Sequence, residues 1–248
     1  MHVYIYDNFL NHVRYSRLLA RLETRITDLG LNGKICRVGL MHNINHIVQS
    51  EIYRGAKTII AVGNDKTINQ MINSMADSKI PLGIIPVGSD NEIADSLGIE
   101  REEAACDLIS SRRIEKLNLG LAQNKLFLTH AKVPTQNTHV QIDAGYSIET
   151  KEDGYFYIVN FPTKEISEAI EKSFNPKDNK LDLLIHTKGK SKLFKKAIAS
   201  NTVLPFSKMT VFSKHHVILD NCQTIETPCE IKLSDKTINL IVGKKRTF

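Results

Sequence analysis

Twice between Lys57 and Ile99, a short apolar run ends at a glycine, passes through a polar turn and opens into helical spacing. The first run, Ile59 to Val62, stops at Gly63, and from Thr67 the apolar residues Ile68, Met71, Ile72 and Met75 recur at helix period. The second, Leu82 to Val87, stops at Gly88. Ser89, Asp90, Asn91 and Glu92 follow, then Ile93, Ala94 and Leu97 resume the helical pattern and Gly98 ends it. Two strand-to-helix turns side by side at the carboxyl edge of a parallel sheet form a crevice rimmed by backbone N–H groups, where such sheets bind phosphates.

The flanking chain extends this pattern. His2 to Tyr6 reads as a strand, and Leu18, Leu22, Ile26 and Leu29 read as a helix closed by Gly30. Ile35 to Leu40 reads as a second strand, and Ile44, Ile47, Val48 and Ile52 as a second helix. Strands and helices thus alternate over the first hundred or so residues, which predicts an α/β fold with a doubly wound, mostly parallel sheet. Glu102 to Ser110 adds a helix. From about Ile114 the texture changes to short β-prone runs separated by turn signals: Ile114–Leu121, Lys125–Thr129, His139–Ala144, Tyr146–Glu149 and Tyr155–Asn160. After helical stretches at Lys164–Phe174 and Ser191–Ala199, strands return at Met209–Phe212, His216–Leu219, Glu230–Leu233 and Ile238–Val242. The expected domains are residues 1–114, α/β and nucleotide-binding, and residues 115–248, a mainly antiparallel β-sandwich, with the last strand free to return to the first domain.

Composition narrows the function classes. Against 27 acidic residues stand 33 basic ones, a net charge of +6 that favours anionic partners: nucleotides, acidic lipids or nucleic acids. No basic surface interleaved with aromatic residues accompanies the charge, so nucleic acid is set aside. The basic clusters Lys188–Lys196 and Lys244–Arg246 read first as a solvated face and a chain end. Four scattered cysteines and nine histidines show no metal-ligand spacing. No apolar run approaches the ~20 residues of a membrane helix, and the first ten residues lack a secretory pattern. The expectation is a cytoplasmic protein, with peripheral attachment to an anionic membrane surface as a variant and homodimerisation left open.

The stretch Pro81-Leu82-Gly83-Ile84-Ile85-Pro86-Val87-Gly88-Ser89-Asp90-Asn91-Glu92-Ile93-Ala94-Asp95-Ser96-Leu97-Gly98-Ile99 closely resembles a block of the diacylglycerol kinase family of lipid kinases, PLGIIPxGTxNDFAxxLGI. In that family the block follows a GGDGT motif, here Gly63-Asn64-Asp65-Lys66-Thr67. Asn175–Asp182 is similar to the family's Pro-x-x-Asp-Gly-x-Leu-Asp, and Val217–Cys222 to its Asp-Gly-Glu strand. The resemblance implies an α/β domain and a β-sandwich with the active site between them, and transfer of the ATP γ-phosphoryl group to a lipid hydroxyl with Mg²⁺. It places Gly63, Asn64, Lys66 and Thr67 in the phosphate loop and Gly88, Ser89 and Asn91 in the adjacent turn. Asp65 becomes the loop carboxylate and metal ligand, and Asp220 the candidate base.

The departures from the family pattern bear on activity. Two of the three motif glycines are Asn64 and Lys66. Asn enters left-handed backbone readily. Lys66 either fills the space of a phosphate or supplies its counter-charge. The family's first-strand Asn-Pro loop is Tyr6-Asp7-Asn8-Phe9-Leu10, the Asp of the second block is Glu92, and the Glu of Asp-Gly-Glu is Cys222, a poor base. Asp65 and Thr67 also have a structural reading as helix caps, Gly83 and Gly88 as packing and turn residues, and Asp178 and Asp182 as a loop-to-strand turn beside a Mg²⁺ reading. Two functions therefore stand: a lipid kinase, and a catalytically inactive member of the fold that binds nucleotide or serves as an interaction module.

Overall fold

The two apolar runs of the central segment are strands buried along their whole length, Thr58–Gly63 and Leu82–Pro86. Burial on both faces demands cover above and below, and the computed structural model, which describes residues 1–39, 43–143, 145–170, 174–187 and 200–248, shows it. The chain divides into two compact units: Met1–Leu117 with Lys236–Thr247, and Asn118–Asp235 with Phe248.

In chain order the first unit contains β1 (His2–Tyr6), α1 (Ser16–Asp28), β2 (Gly33–Arg37), α2 (Ile44–Tyr53), β3 (Thr58–Gly63), α3 (Asp65–Met75), β4 (Leu82–Pro86), α4 (Glu92–Ser96) and α5 (Glu103–Ser111). Short 3-10 turns at Asn8–Asn11 and Val13–Tyr15 join β1 to α1. The helices turn their apolar stripes inward: Leu19, Leu22 and Ile26 from α1, and Ile68, Met71, Ile72 and Met75 from α3 are buried. The strands run parallel in the order β2-β1-β3-β4. From β1 the chain steps out to β2, then returns to place β3 on the other side of β1. The carboxyl ends of β1 and β3 are thus the topological switch point, where the connecting loops diverge and leave a crevice.

Strand β5 (Ile114–Ala122) leads from the first unit into the second, which continues with β6 (Lys125–Phe127), β7 (His130–Pro134), β8 (Thr138–Ile142), β9 (Tyr146–Glu149), β10 (Gly154–Val159), α6 (Lys164–Ala169), β11 (Leu181–Thr187), β12 (Ser200–Phe206), β13 (Lys208–Ser213), β14 (Val217–Leu219) and β15 (Gln223–Ile225). Strand β16 (Cys229–Ile241) begins there, and its far end pairs in parallel with β4 of the first unit, Leu240 opposite Leu82. Within the second unit an antiparallel sheet runs β12-β11-β10-β7-β14-β15, and β13 pairs antiparallel with β8 and β16. Residues of both sets, among them Phe156, Leu183, Val140 and Ile231, close one apolar core.

The fold is the α/β architecture with an antiparallel β unit that the alternation and the later change in texture predict. Strands β7, β11, β12 and β15 carry no clear periodic signal. Pro205 within β12 speaks against a strand, yet β12 lies at a sheet edge, where a missing N–H costs least. The expected helix Ser191–Ala199, the cluster Lys188–Lys196, Leu40 and Ala144 lie wholly or partly outside the described residues. Among the described residues no helix is long and apolar enough to cross a membrane.

His130, at the start of β7, is buried with Nδ1 3.1 Å from Thr129 Oγ1, and burial, reinforced by Lys132, pulls its pKa from 6.5 down to about 3. The folded state thus excludes a proton that the unfolded chain accepts. Stability is unaffected by this group above its unfolded pKa and falls as the pH drops from there toward the folded value, by on the order of 1.4 kcal/mol per pH unit. Denaturant midpoints measured between about pH 6 and pH 4 should decline less steeply for His130→Gln than for the natural chain.

Candidate functional site at the carboxyl edge of the parallel sheet

Three connections meet at the switch point, and one threonine ties two of them. The Thr67 hydroxyl donates to Asp7 Oδ2 at 2.5 Å, and its oxygen accepts from the Asn64 N–H at 3.3 Å. The second contact is half of a capping box in which the Asn64 side chain accepts from the Thr67 N–H, closing the first turn of α3. Gly63 is required by this packing: a Cβ there would overlap Thr67 Oγ1 and approach Thr67 Cβ to 2.9 Å. Gly63 and Thr67 are both buried, so the glycine–threonine pair builds the turn from within.

Asp65 joins this turn to the next. It is only 3% exposed, and its Oδ2 and Oδ1 accept from the N–H groups of Glu92 at 2.8 Å and Ile93 at 3.1 Å. Its own N–H donates to Asp90 O at 2.8 Å, and Val87 N–H donates to Gly63 O at 2.9 Å. Helix α4 is one short turn whose N-cap, Asn91, makes no side-chain capping bond. The carboxylate from the neighbouring turn takes over its orphan amides, with charge and helix dipole matched.

In the second turn Gly88 adopts φ +86°, open to glycine at no steric cost, and Asp90 adopts φ +60°. The buried Asn91 donates through Nδ2 to Gly88 O at 2.8 Å, and Ser89 donates to Asp90 Oδ2 at 3.0 Å. The Phe9 ring packs over Gly88, 3.5 Å from where a Cβ would stand, and makes an edge contact with Tyr15 at a centroid distance of 5.4 Å.

A cavity of about 550 Å³ opens at the ends of β1 and β3, lined by Asp7, Phe9, Gly39, Asn43, Asn64, Lys66 and their neighbours Asn8, Val38, Ile44 and Gln70. Its size lies within the range of small-molecule sites. The N-termini of α2, capped by Asn43 through His46 N–H at 2.9 Å, and of α3 both reach its wall. Of the residues the sequence singles out, the structure brings Asn64 and Lys66 to this cavity. Gly63, Asp65 and Thr67 brace it from behind, while Gly88, Ser89 and Asn91 are absent from its lining. Asp7, Phe9, Asn43 and Gln70 escape motif reading, although the switch-point rule directs attention to the residues after β1.

Asp220 belongs to the second unit and is 2% exposed. With Asn221 it forms the tight β14–β15 connection: both residues have positive φ, and Cys222 N–H donates to Leu219 O at 2.9 Å. Its carboxylate accepts from the N–H groups of Leu128 at 2.7 Å, Thr129 at 2.8 Å and His130 at 3.2 Å, and from the Thr129 hydroxyl at 2.7 Å. Burial pushes its pKa up while these donors pull it back. A carboxylate so enclosed organises the β6–β7 connection. Asp178 likewise accepts from Lys180 N–H at 3.0 Å within a turn where Asn179 is left-handed. Among the described residues no group of three or more His, Cys, Asp or Glu could hold a metal ion.

Asp65→Ala should lower stability by about 2–4 kcal/mol, since two amides of α4 lose a charged acceptor. Gly63→Ala should lower it by about 1–3 kcal/mol through overlap with Thr67. Thermal and denaturant unfolding check both.

Comparison with known proteins agrees with this architecture. Residues 5–122 match the model of the diacylglycerol kinase catalytic domain. A diacylglycerol kinase of Bacillus subtilis (strain 168) is 28% identical over 131 residues, 51% of this chain and 43% of that protein. A probable lipid kinase, YegS-like, of Pseudomonas aeruginosa (strain UCBPP-PA14) is 31% identical over 87 residues, 34% of this chain and 29% of that protein. The matched stretches thus span less than half the length of these relatives. The crystal structure of a diacylglycerol kinase from Bacillus anthracis str. Sterne superposes with a TM-score of 0.71 over 98% of this chain and 97% of that one, at 17% identity, a likeness of fold. Over residues 5–122, which hold its two linked turns, the chain is similar to the diacylglycerol kinase catalytic domain family.

Proposed function

We propose that the chain binds ATP in the cavity at the ends of β1 and β3 and transfers its γ-phosphoryl group to the hydroxyl of a diacylglycerol-like lipid. The observation that carries this reading is the cavity itself, at the switch point of a parallel sheet with two helix N-termini and a lysine on its wall. Phosphoryl transfer depends mainly on positioning and on charge stabilisation of the phosphoryl oxygens. The Asp65 and Thr67 braces hold the two turns, and Asn64 and Lys66 present polar groups to the cavity.

Kinases of this kind use a nucleotide with a divalent metal in general. The donor set here is poor for a metal held by the protein: among the described residues Asp7 is the single carboxylate lining the cavity, and its two oxygens already accept from Thr67 and from the Phe9 N–H at 3.3 Å, while Asp65, whose oxygens accept backbone amides, is not part of the lining. No step is assigned to a metal. A second reading, nucleotide binding without transfer, is favoured by the enclosed Asp220 and by Cys222 where the family carries a glutamate.

Labelled ATP and a lipid panel separate the two. Transfer to a lipid hydroxyl supports the kinase reading, and saturable ATP binding without transfer supports the second. Gln70→Trp, an exposed change that fills the cavity, should abolish the ATP-induced rise in unfolding midpoint while leaving the ligand-free midpoint within about a degree or two. A natural chain whose midpoint is unmoved by millimolar ATP contradicts both readings.

A further inference from the structure

Resting on the proposed nucleotide site, we infer that Lys66 is the built-in counter-charge for the nucleotide's phosphates, so that ATP binds here without a divalent cation. Three observations combine. Lys66 is the second residue of α3, is exposed, and lines the cavity next to the Asn64 cap. Among the described residues lining the cavity it is the one cation and Asp7 the one acid. Among the described residues Lys66 has no carboxylate partner, whereas Asp7 is held by the Thr67 hydroxyl and the Phe9 amide.

The second observation concerns what a metal would need. Mg²⁺ bound with a nucleotide takes one or two protein carboxylates beside the phosphates. Asp65, the acid of the motif, is not part of the cavity lining and is clasped by the Glu92 and Ile93 amides, which leaves Asp7, already accepting at both oxygens, as the single lining carboxylate among the described residues. The third is the placement of the N-termini of α2 and α3 on the same wall, which adds partial positive charge on the side where Lys66 stands. A glycine at this position would leave phosphate charge to an external cation. The ammonium, on a flexible stem, supplies that neutralisation from the protein.

The test is ATP titration by calorimetry of the full chain in excess chelator and in excess Mg²⁺, with Lys66→Gln, Lys66→Arg and adenosine as comparisons. The natural chain should bind ATP in chelator at least as tightly as in Mg²⁺. Lys66→Gln should weaken ATP binding in chelator by about tenfold or more, Lys66→Arg should restore most of it, and adenosine affinity should not change. ATP binding that requires Mg²⁺, or that is unchanged or tighter in Lys66→Gln, overturns the inference while leaving the nucleotide site standing. Failure of ATP to bind in either buffer overturns the site as well.

Discussion

The Asp65 carboxylate, set between the N–H groups of Glu92 and Ile93, is the contact on which the first unit's functional edge depends. Helix α4 is too short to settle its own terminus and lacks a capping side chain of its own. An acid from the adjacent turn does so, and in the same step fixes the two turns to each other. The Thr67–Asp7 contact extends the connection to the end of β1. Three strand ends and two helix starts are thereby held in one arrangement by a few buried or part-buried polar contacts, where leaving a partner unmet is costly.

This arrangement recasts what the motif residues do. In a glycine-rich phosphate loop the backbone is the binding group, and small residues let the ligand approach. Here Gly63 is small because Thr67 stands against it, and Thr67 is polar because it bridges Asn64 and Asp7. The chain keeps the scaffold of the loop while its two changed positions, Asn64 and Lys66, are those that face the cavity. Change has thus fallen on the positions that line the cavity, and the structural positions of the motif are retained.

In the second unit Asp220 repeats the same physics. A left-handed Asp-Asn pair makes the turn, and the carboxylate gathers three amides and a hydroxyl from the β6–β7 connection. Neutral, buried His130 lies beside it. The family's motif identifies the position, and burial with four donors sets the carboxylate's surroundings.

The apolar runs at Ile59–Val62 and Leu82–Val87, the helical stripes and the later succession of short strands were legible in the sequence, because burial on one face, two faces or alternate residues leaves its period in the order of side chains. The resemblance to the family was legible for a related reason: the residues after Leu82 satisfy local backbone demands at fixed spacing. Strands β7, β11, β12 and β15 were not, since short strands are decided by their neighbours in the sheet more than by their own composition. Nor could the sequence say which way a motif side chain points. That Asp65 faces α4, that Asp220 is enclosed, and that Lys66 shares a wall with Asp7 and Asn43 follow from contacts between residues far apart in the chain, and only the tertiary structure sets those distances.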